Sequence, residues 1–195
     1  MFRSRHEAGR IGVWAVVLLG ALGSGAGSLS AADAPGNATS PAPANAVVSA
    51  ALRTAAAERK VVLVEFGASW CSWCRRFEAF VHAPEVSAIV AANYLVVNLV
   101  VQERDDKKAL ENPGGLDVMD KWGGAKSGLP FYVFLDAAGR KVADSNAMPD
   151  GGNVGFPGTA KEAAVFLTLL DKTAPRLSKG DRAKIARYLQ ATVKP

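Results

Sequence analysis

The feature that most restricts what this chain can fold into is a run of sixteen residues, Val61 to Arg76, reading VVLVEFGASWCSWCRR. Val61 to Phe66 is β-branched or large and apolar except at Glu65, and Gly67 bounds it, the pattern of a short buried strand carrying one carboxylate. Immediately beyond the cysteines, RRFEAFVHAP keeps helical spacing through Phe77, Phe80 and Val81 until Pro84 interrupts it, and EVSAIVAAN offers a second helical stretch. Cys71 and Cys74 are thereby expected at a strand-to-helix turn, with Cys71 at the helix N-terminus. Unpaired backbone N–H groups and the positive end of the helix dipole stabilise a thiolate there, so its pKa should fall below the free value of about 8.5. Cys74 lies one turn deeper on the same face, placed to attack a mixed disulfide formed on Cys71. Attack by the first and release by the second make a complete thiol–disulfide exchange cycle.

Three other uses of a cysteine pair compete with exchange. A zinc site needs four ligands, and the remaining histidines are His82 and His6, the latter in the expected signal segment described below, so a monomer cannot complete the site and no metal is expected. A haem attachment site wants a histidine directly after the second cysteine, where this chain has Arg75. A purely structural bridge stays open, although so short a loop restrains the unfolded chain very little. Because these are the only 2 cysteines in 195 residues, at most one intramolecular bridge is available and disulfide-stapled scaffolds are excluded. With 49% hydrophobic and 21% charged residues the chain can supply its own core.

The formal charge of +5 does not mark a nucleic-acid binder, because Arg3, Arg5 and Arg10 against Glu7 place part of it in the first ten residues. Those residues precede the apolar run IGVWAVVLLGAL and the small-residue stretch GSGAGSLSAADA, the three zones of a secretory signal peptide. The expected organisation is a signal peptide over 1–32, a flexible linker over 33–44 rich in Ala-Pro steps, and one domain over 45–195. Export would carry the mature chain to an oxidising compartment, periplasmic or secreted, with membrane contact only through an uncleaved signal segment.

Within the domain, Asn45 is the expected N-cap of an alanine-rich helix ending near Lys60, and Tyr94 to Val101 reads as a second buried strand. Residues 102–128 start highly charged, break at Pro113, Gly114 and Gly115, and then offer LDVMDKW as a short amphipathic helix. FYVFLD and RKVAD flank a turn at Ala137, Ala138 and Gly139, an antiparallel hairpin. A glycine-rich and proline-rich loop, 145–159, precedes two helices capped by Thr159 and Ser178. This alternation calls for an α/β fold with a central mixed sheet and helices on both faces.

The motif VLVEFGASWCSWC, then Lys121-Trp122-Gly123, then Gly128-Leu129-Pro130 before the strand FYVFLD, resembles the thioredoxin superfamily over about Val61 to Leu170. The resemblance implies a thioredoxin-like fold with an extra C-terminal helix. It implies Cys71 and Cys74 as the catalytic pair, Glu65 as a buried carboxylate relaying the proton of the second cysteine, and Pro130 as a cis-proline. Leu129 would then offer its backbone to an extended substrate segment, Trp70 would pack beside the site, and Trp73 would contact substrate. Protein thiol–disulfide oxidoreductase activity follows, of reductase or isomerase type, on protein disulfide or dithiol substrates and with a redox partner protein. No cofactor is needed. Ser72-Trp73 stands where thioredoxins proper carry Gly-Pro, so their redox poise cannot be transferred. The rival reading is a binding module that keeps the thioredoxin scaffold, with a permanently oxidised pair and decorated loops that recognise a protein.

Overall fold

A computed structural model describes residues 40–193; the expected signal segment, 1–32, and residues 33–39 of the expected linker lie outside the described residues. In chain order the elements are α1 (Ala44–Glu58), β1 (Val61–Gly67), α2 (Ser72–His82), α3 (Ser87–Asn93), β2 (Tyr94–Val100), α4 (Gly115–Lys121), β3 (Phe131–Leu135), β4 (Lys141–Asp144), α5 (Ala160–Thr173) and α6 (Lys179–Thr192). A 3-10 turn, Asp105–Leu110, lies between β2 and α4. The strands form one mixed sheet in the order β2-β1-β3-β4. β1 pairs parallel with β2, in register from Val61 opposite Tyr94 to Gly67 opposite Val100, and antiparallel with β3. A parallel neighbour demands a crossover connection, which α2 and α3 supply.

Side-chain alternation along β1 divides the core into two layers. Val62, Val64 and Phe66 join Leu99, Phe131, Val133 and Leu135 in the layer shared with α1 and α4. Leu63 joins Tyr132 and Phe134 in the layer shared with α2, α3, α5 and α6. Glu65 follows the parity of Leu63, so its carboxylate points to the α2 side, the side of the cysteines. The α2 helix is fastened to that face by rings: Phe77 stacks on Tyr132 at 5.1 Å and Phe80 meets Phe166 edge-on at 5.5 Å. Such pairs contribute about 0.5–1.5 kcal/mol each beyond burial. The aromatic spacing of α2 thus decides where the cysteines stand.

One local expectation changes. The first helix does not begin at an Asn45 cap: it starts at Ala44 after Pro43, with no side-chain cap. Its entry is set by tertiary contacts instead, because the Ala44 N–H donates to Pro113 O at 2.9 Å and Asn112 Nδ2 donates to Ala42 O at 2.9 Å. The helix ends at Glu58, close to the expected Lys60, where Arg59 turns left-handed at φ 54°. The two later caps hold as expected: Thr159 forms a reciprocal capping box with Glu162, and the Ser178 hydroxyl accepts the Asp181 N–H.

Candidate active site

The turn Ala68-Ser69-Trp70 between β1 and α2 closes with the Cys71 N–H donating to Ala68 O at 3.0 Å. Cys71 is the N-cap of α2, and its Sγ accepts the Cys74 N–H at 3.0 Å, so the sulfur occupies the place where a cap oxygen usually sits. Cys71 and Cys74 are joined as a disulfide with Cα atoms 5.3 Å apart. They are 3% and 8% exposed, and together with Ala68 they form a small apolar cluster against which Leu129 packs. The Leu129–Pro130 peptide is cis.

Glu65 is buried behind the disulfide, and its Oε1 has no hydrogen-bond partner among the described residues. Burial, and secondarily the charge of Glu78, push its carboxyl up to about 8. Gly67 explains how it reaches the sulfur. A Cβ placed there would stand 3.3 Å from Cys74 Sγ and 3.4 Å from Glu65 Oε1, so the absent side chain leaves one gap that both groups touch. A cavity of about 420 Å³ lined by Glu65, Gly67, Cys74, Arg75, Glu78 and Glu103 opens this side of the pair to water. The sequence reading drew attention to Glu65 and overlooked Gly67, whose only local signal is that it ends the strand.

Glu103 is a second carboxylate at the site, and the sequence reading missed it. It is buried, its Oε1 accepts the Ser69 N–H, and its Oε2 accepts the Ser69 hydroxyl at 2.9 Å. Its own N–H donates to Glu111 Oε1 at 2.7 Å. The turn that presents Cys71 is therefore moored to the segment after β2. Glu103 lies in a charged run, QERDDKK, that reads as solvated surface, and nothing in that pattern separates it from its neighbours.

Both tryptophans flank the disulfide half-exposed, Trp70 at 43% and Trp73 at 41%. Trp70 Nε1 donates to Gln102 O at 2.8 Å, a second mooring to the same segment. Trp73 has the Arg76 guanidinium 4.7 Å above its ring and the 153–158 loop beside it; a Cβ on Gly158 would meet its indole edge at 2.6 Å. Arg75 does not turn toward the sulfurs: its guanidinium donates to Ser69 O at 3.0 Å. His82 is exposed at the edge of a smaller cavity of about 170 Å³ that also touches Glu65 and Glu78.

A cysteine at a helix N-cap, its partner one turn in, and a buried carboxyl group behind the partner can exchange disulfides. Residues 44–137 match the family model described as thioredoxin-like. This part of the chain is thioredoxin-like. The thioredoxin-like segment ends just after β3, so β4, α5, α6 and the 145–159 loop lie beyond the matched residues. Among solved structures, the chain is similar to a disulphide isomerase from Xylella fastidiosa Temecula1, at 19% identity over 77% of this chain and 91% of that one, with a TM-score of 0.47. It is similar to the DsbD C-terminal domain of Neisseria meningitidis in the oxidised form, at 21% identity over 53% and 84%, TM-score 0.39. A thioredoxin from Thermus thermophilus is similar at 24% identity over 53% and 71%, TM-score 0.38. No curated protein matches the chain.

Proposed function

We propose that this protein is a thiol–disulfide oxidoreductase acting on protein substrates, of reductase or isomerase type, exported to the cell envelope. The observation that carries the reading is the placement of Cys71 Sγ on the N-terminus of α2 with Glu65 and Cys74 sharing the gap left by Gly67. In the reducing direction, the Cys71 thiolate attacks one sulfur of a substrate disulfide. A Cys71–substrate bond forms, the substrate bond breaks, and the first substrate thiolate leaves and takes a proton from water. Cys74 then gives its proton to the Glu65 carboxylate and attacks Cys71 Sγ. The Cys71–Cys74 bond forms, the second substrate thiolate leaves, and two electrons have passed to the substrate.

A carboxyl group raised to about 8 suits this exchange, since it lies near the thiol range and moves the proton with little driving-force penalty. Run backwards, protonated Glu65 supplies the proton that Cys74 needs when the disulfide is opened. The direction of net exchange is set by the potential of the pair against that of its compartment, which the titration below measures. Export is supported by the charged, apolar and small-residue zones of residues 1–32.

Trapping tests the reading. A Cys74→Ser variant lacks the resolving thiol and should accumulate mixed disulfides with cellular proteins on Cys71, released by dithiothreitol, whereas Cys71→Ser should accumulate none. Titration of the wild-type pair against glutathione buffers should give a measurable midpoint. A pair that stays oxidised at every potential, with no trapped partners, would leave a structural bridge and refute exchange.

A further inference from the structure

The loop between β4 and α5 lies beyond the thioredoxin-like segment, yet it is built into the site. Ser145 continues the β3 edge: its N–H donates to Tyr132 O at 2.9 Å, and its hydroxyl accepts the Tyr132 N–H at 3.0 Å. The Val154 N–H donates to Ser145 O at 2.7 Å, and the Tyr132 hydroxyl donates to Gly155 O at 3.1 Å. Val154 and Phe156 are buried. Asn153 is thus held between anchored residues.

Three of the four hydrogen bonds its side chain can make go to main chain. Nδ2 donates to Gly128 O at 2.7 Å and to Pro130 O at 3.1 Å, while Oδ1 accepts the Gly155 N–H at 3.0 Å. The Gly155 donor settles which way the amide faces, because only the oxygen can accept it. The two carbonyls that Nδ2 takes belong to the residues on either side of Leu129. The N–H and C=O of Leu129 itself make no hydrogen bond among the described residues. A cavity of about 330 Å³, lined by Trp73, Leu129, Asn153, Gly155, Phe156 and Glu162 among others, lies alongside.

We infer that Asn153 is a positioning residue for substrate docking: by engaging the carbonyls of Gly128 and Pro130 it holds the Leu129 main chain beside the disulfide, its N–H and C=O open to an extended substrate backbone. The inference rests on the exchange reading and deepens it by placing part of the docking apparatus in the 145–159 loop. An extended peptide gains its affinity from main-chain pairing of this kind. A small disulfide reaching Cys71 uses none of it. Asn153 therefore serves peptide substrates and leaves the intrinsic chemistry of the cysteines alone.

The test compares Asn153→Ala and Asn153→Asp with the wild type in the full chain, reduced, against two probes: a disulfide-bridged fluorogenic peptide and cystamine. Asn153→Asp keeps the acceptor for Gly155 and replaces the two donors with an anionic oxygen that faces the Gly128 and Pro130 carbonyls. Both variants should lose about tenfold in kcat/KM for the peptide, the equivalent of about 1.4 kcal/mol, through KM. Their rates with cystamine and their reduction potentials should match the wild type. Peptide kinetics unchanged in both variants would overturn the inference, as would an Asn153→Asp variant equal to wild type, or a parallel loss with cystamine, which would make Asn153 a support of the fold alone. A wild type that reacts with neither probe would refute the exchange reading itself, and one that reacts with cystamine and not with the peptide would refute its protein-substrate part.

Discussion

Replacing Glu65 with Gln isolates the acid behind the disulfide, because glutamine mimics the neutral carboxyl in shape and never ionises. Burial is the first cause of the raised pKa and Glu78 the second, lifting the folded value from 4.5 to about 8. Between those values the folded protein holds a proton that the unfolded chain has released, so the stability associated with this group is full below pH 4.5 and is lost as pH rises toward 8. The slope is about 1.4 kcal/mol per pH unit, which amounts to about 3 kcal/mol by pH 7 and about 5 kcal/mol above pH 8. The unpartnered Oε1 is consistent with this direction, since no protein donor among the described residues reaches it. Urea unfolding of both proteins at unit steps from pH 5 to 9, with the disulfide intact so that Cys74 does not titrate, reads the difference directly. Titrations common to the two proteins cancel in the comparison. The Glu65→Gln variant should overtake the wild type progressively across the window and then keep a constant lead. Parallel stability curves would refute the reasoning, since they would mean that Glu65 meets no desolvated environment in the folded state.

Glu103→Ala removes both acceptors of Ser69 and strands a backbone N–H in the turn before Cys71; a loss of about 3 kcal/mol in urea unfolding is expected, with slower reaction toward cystamine. Gly158→Ala drives a methyl group into the Trp73 indole, which is half-exposed and free to shift; its tryptophan emission should change while the unfolding midpoint moves little, and the change should vanish in a Trp73→Phe background. Thr159→Ala opens the capping box of α5 and should cost about 1 kcal/mol, measured by thermal or urea unfolding, without altering the reduction potential.

The elements that carry the cysteines were legible because their signals are local. A β-branched run reports a buried strand, Phe77, Phe80 and Val81 report the inward face of α2, and three residues of spacing put Cys74 one turn beyond Cys71 whatever the remainder of the chain does. Even the direction of Glu65 follows from parity along β1. The start of the first helix was not legible, since Pro113 and Asn112, far away in sequence, decide it and the favourable cap at Asn45 goes unused. Glu103 was hidden for the same reason.

What the amino-acid order determined by itself was therefore the strand, the turn, the helix and the cysteine pair within them. Tertiary structure alone decided which main-chain groups around that pair are engaged and which stay open: Glu103 takes Ser69, Trp70 takes Gln102, and Asn153 takes the carbonyls flanking Leu129. Periodicity and capping act within a turn or a strand and leave their mark on neighbouring residues. A hydrogen bond between groups 23 to 34 positions apart leaves none, because either partner alone looks like an ordinary polar residue on a loop.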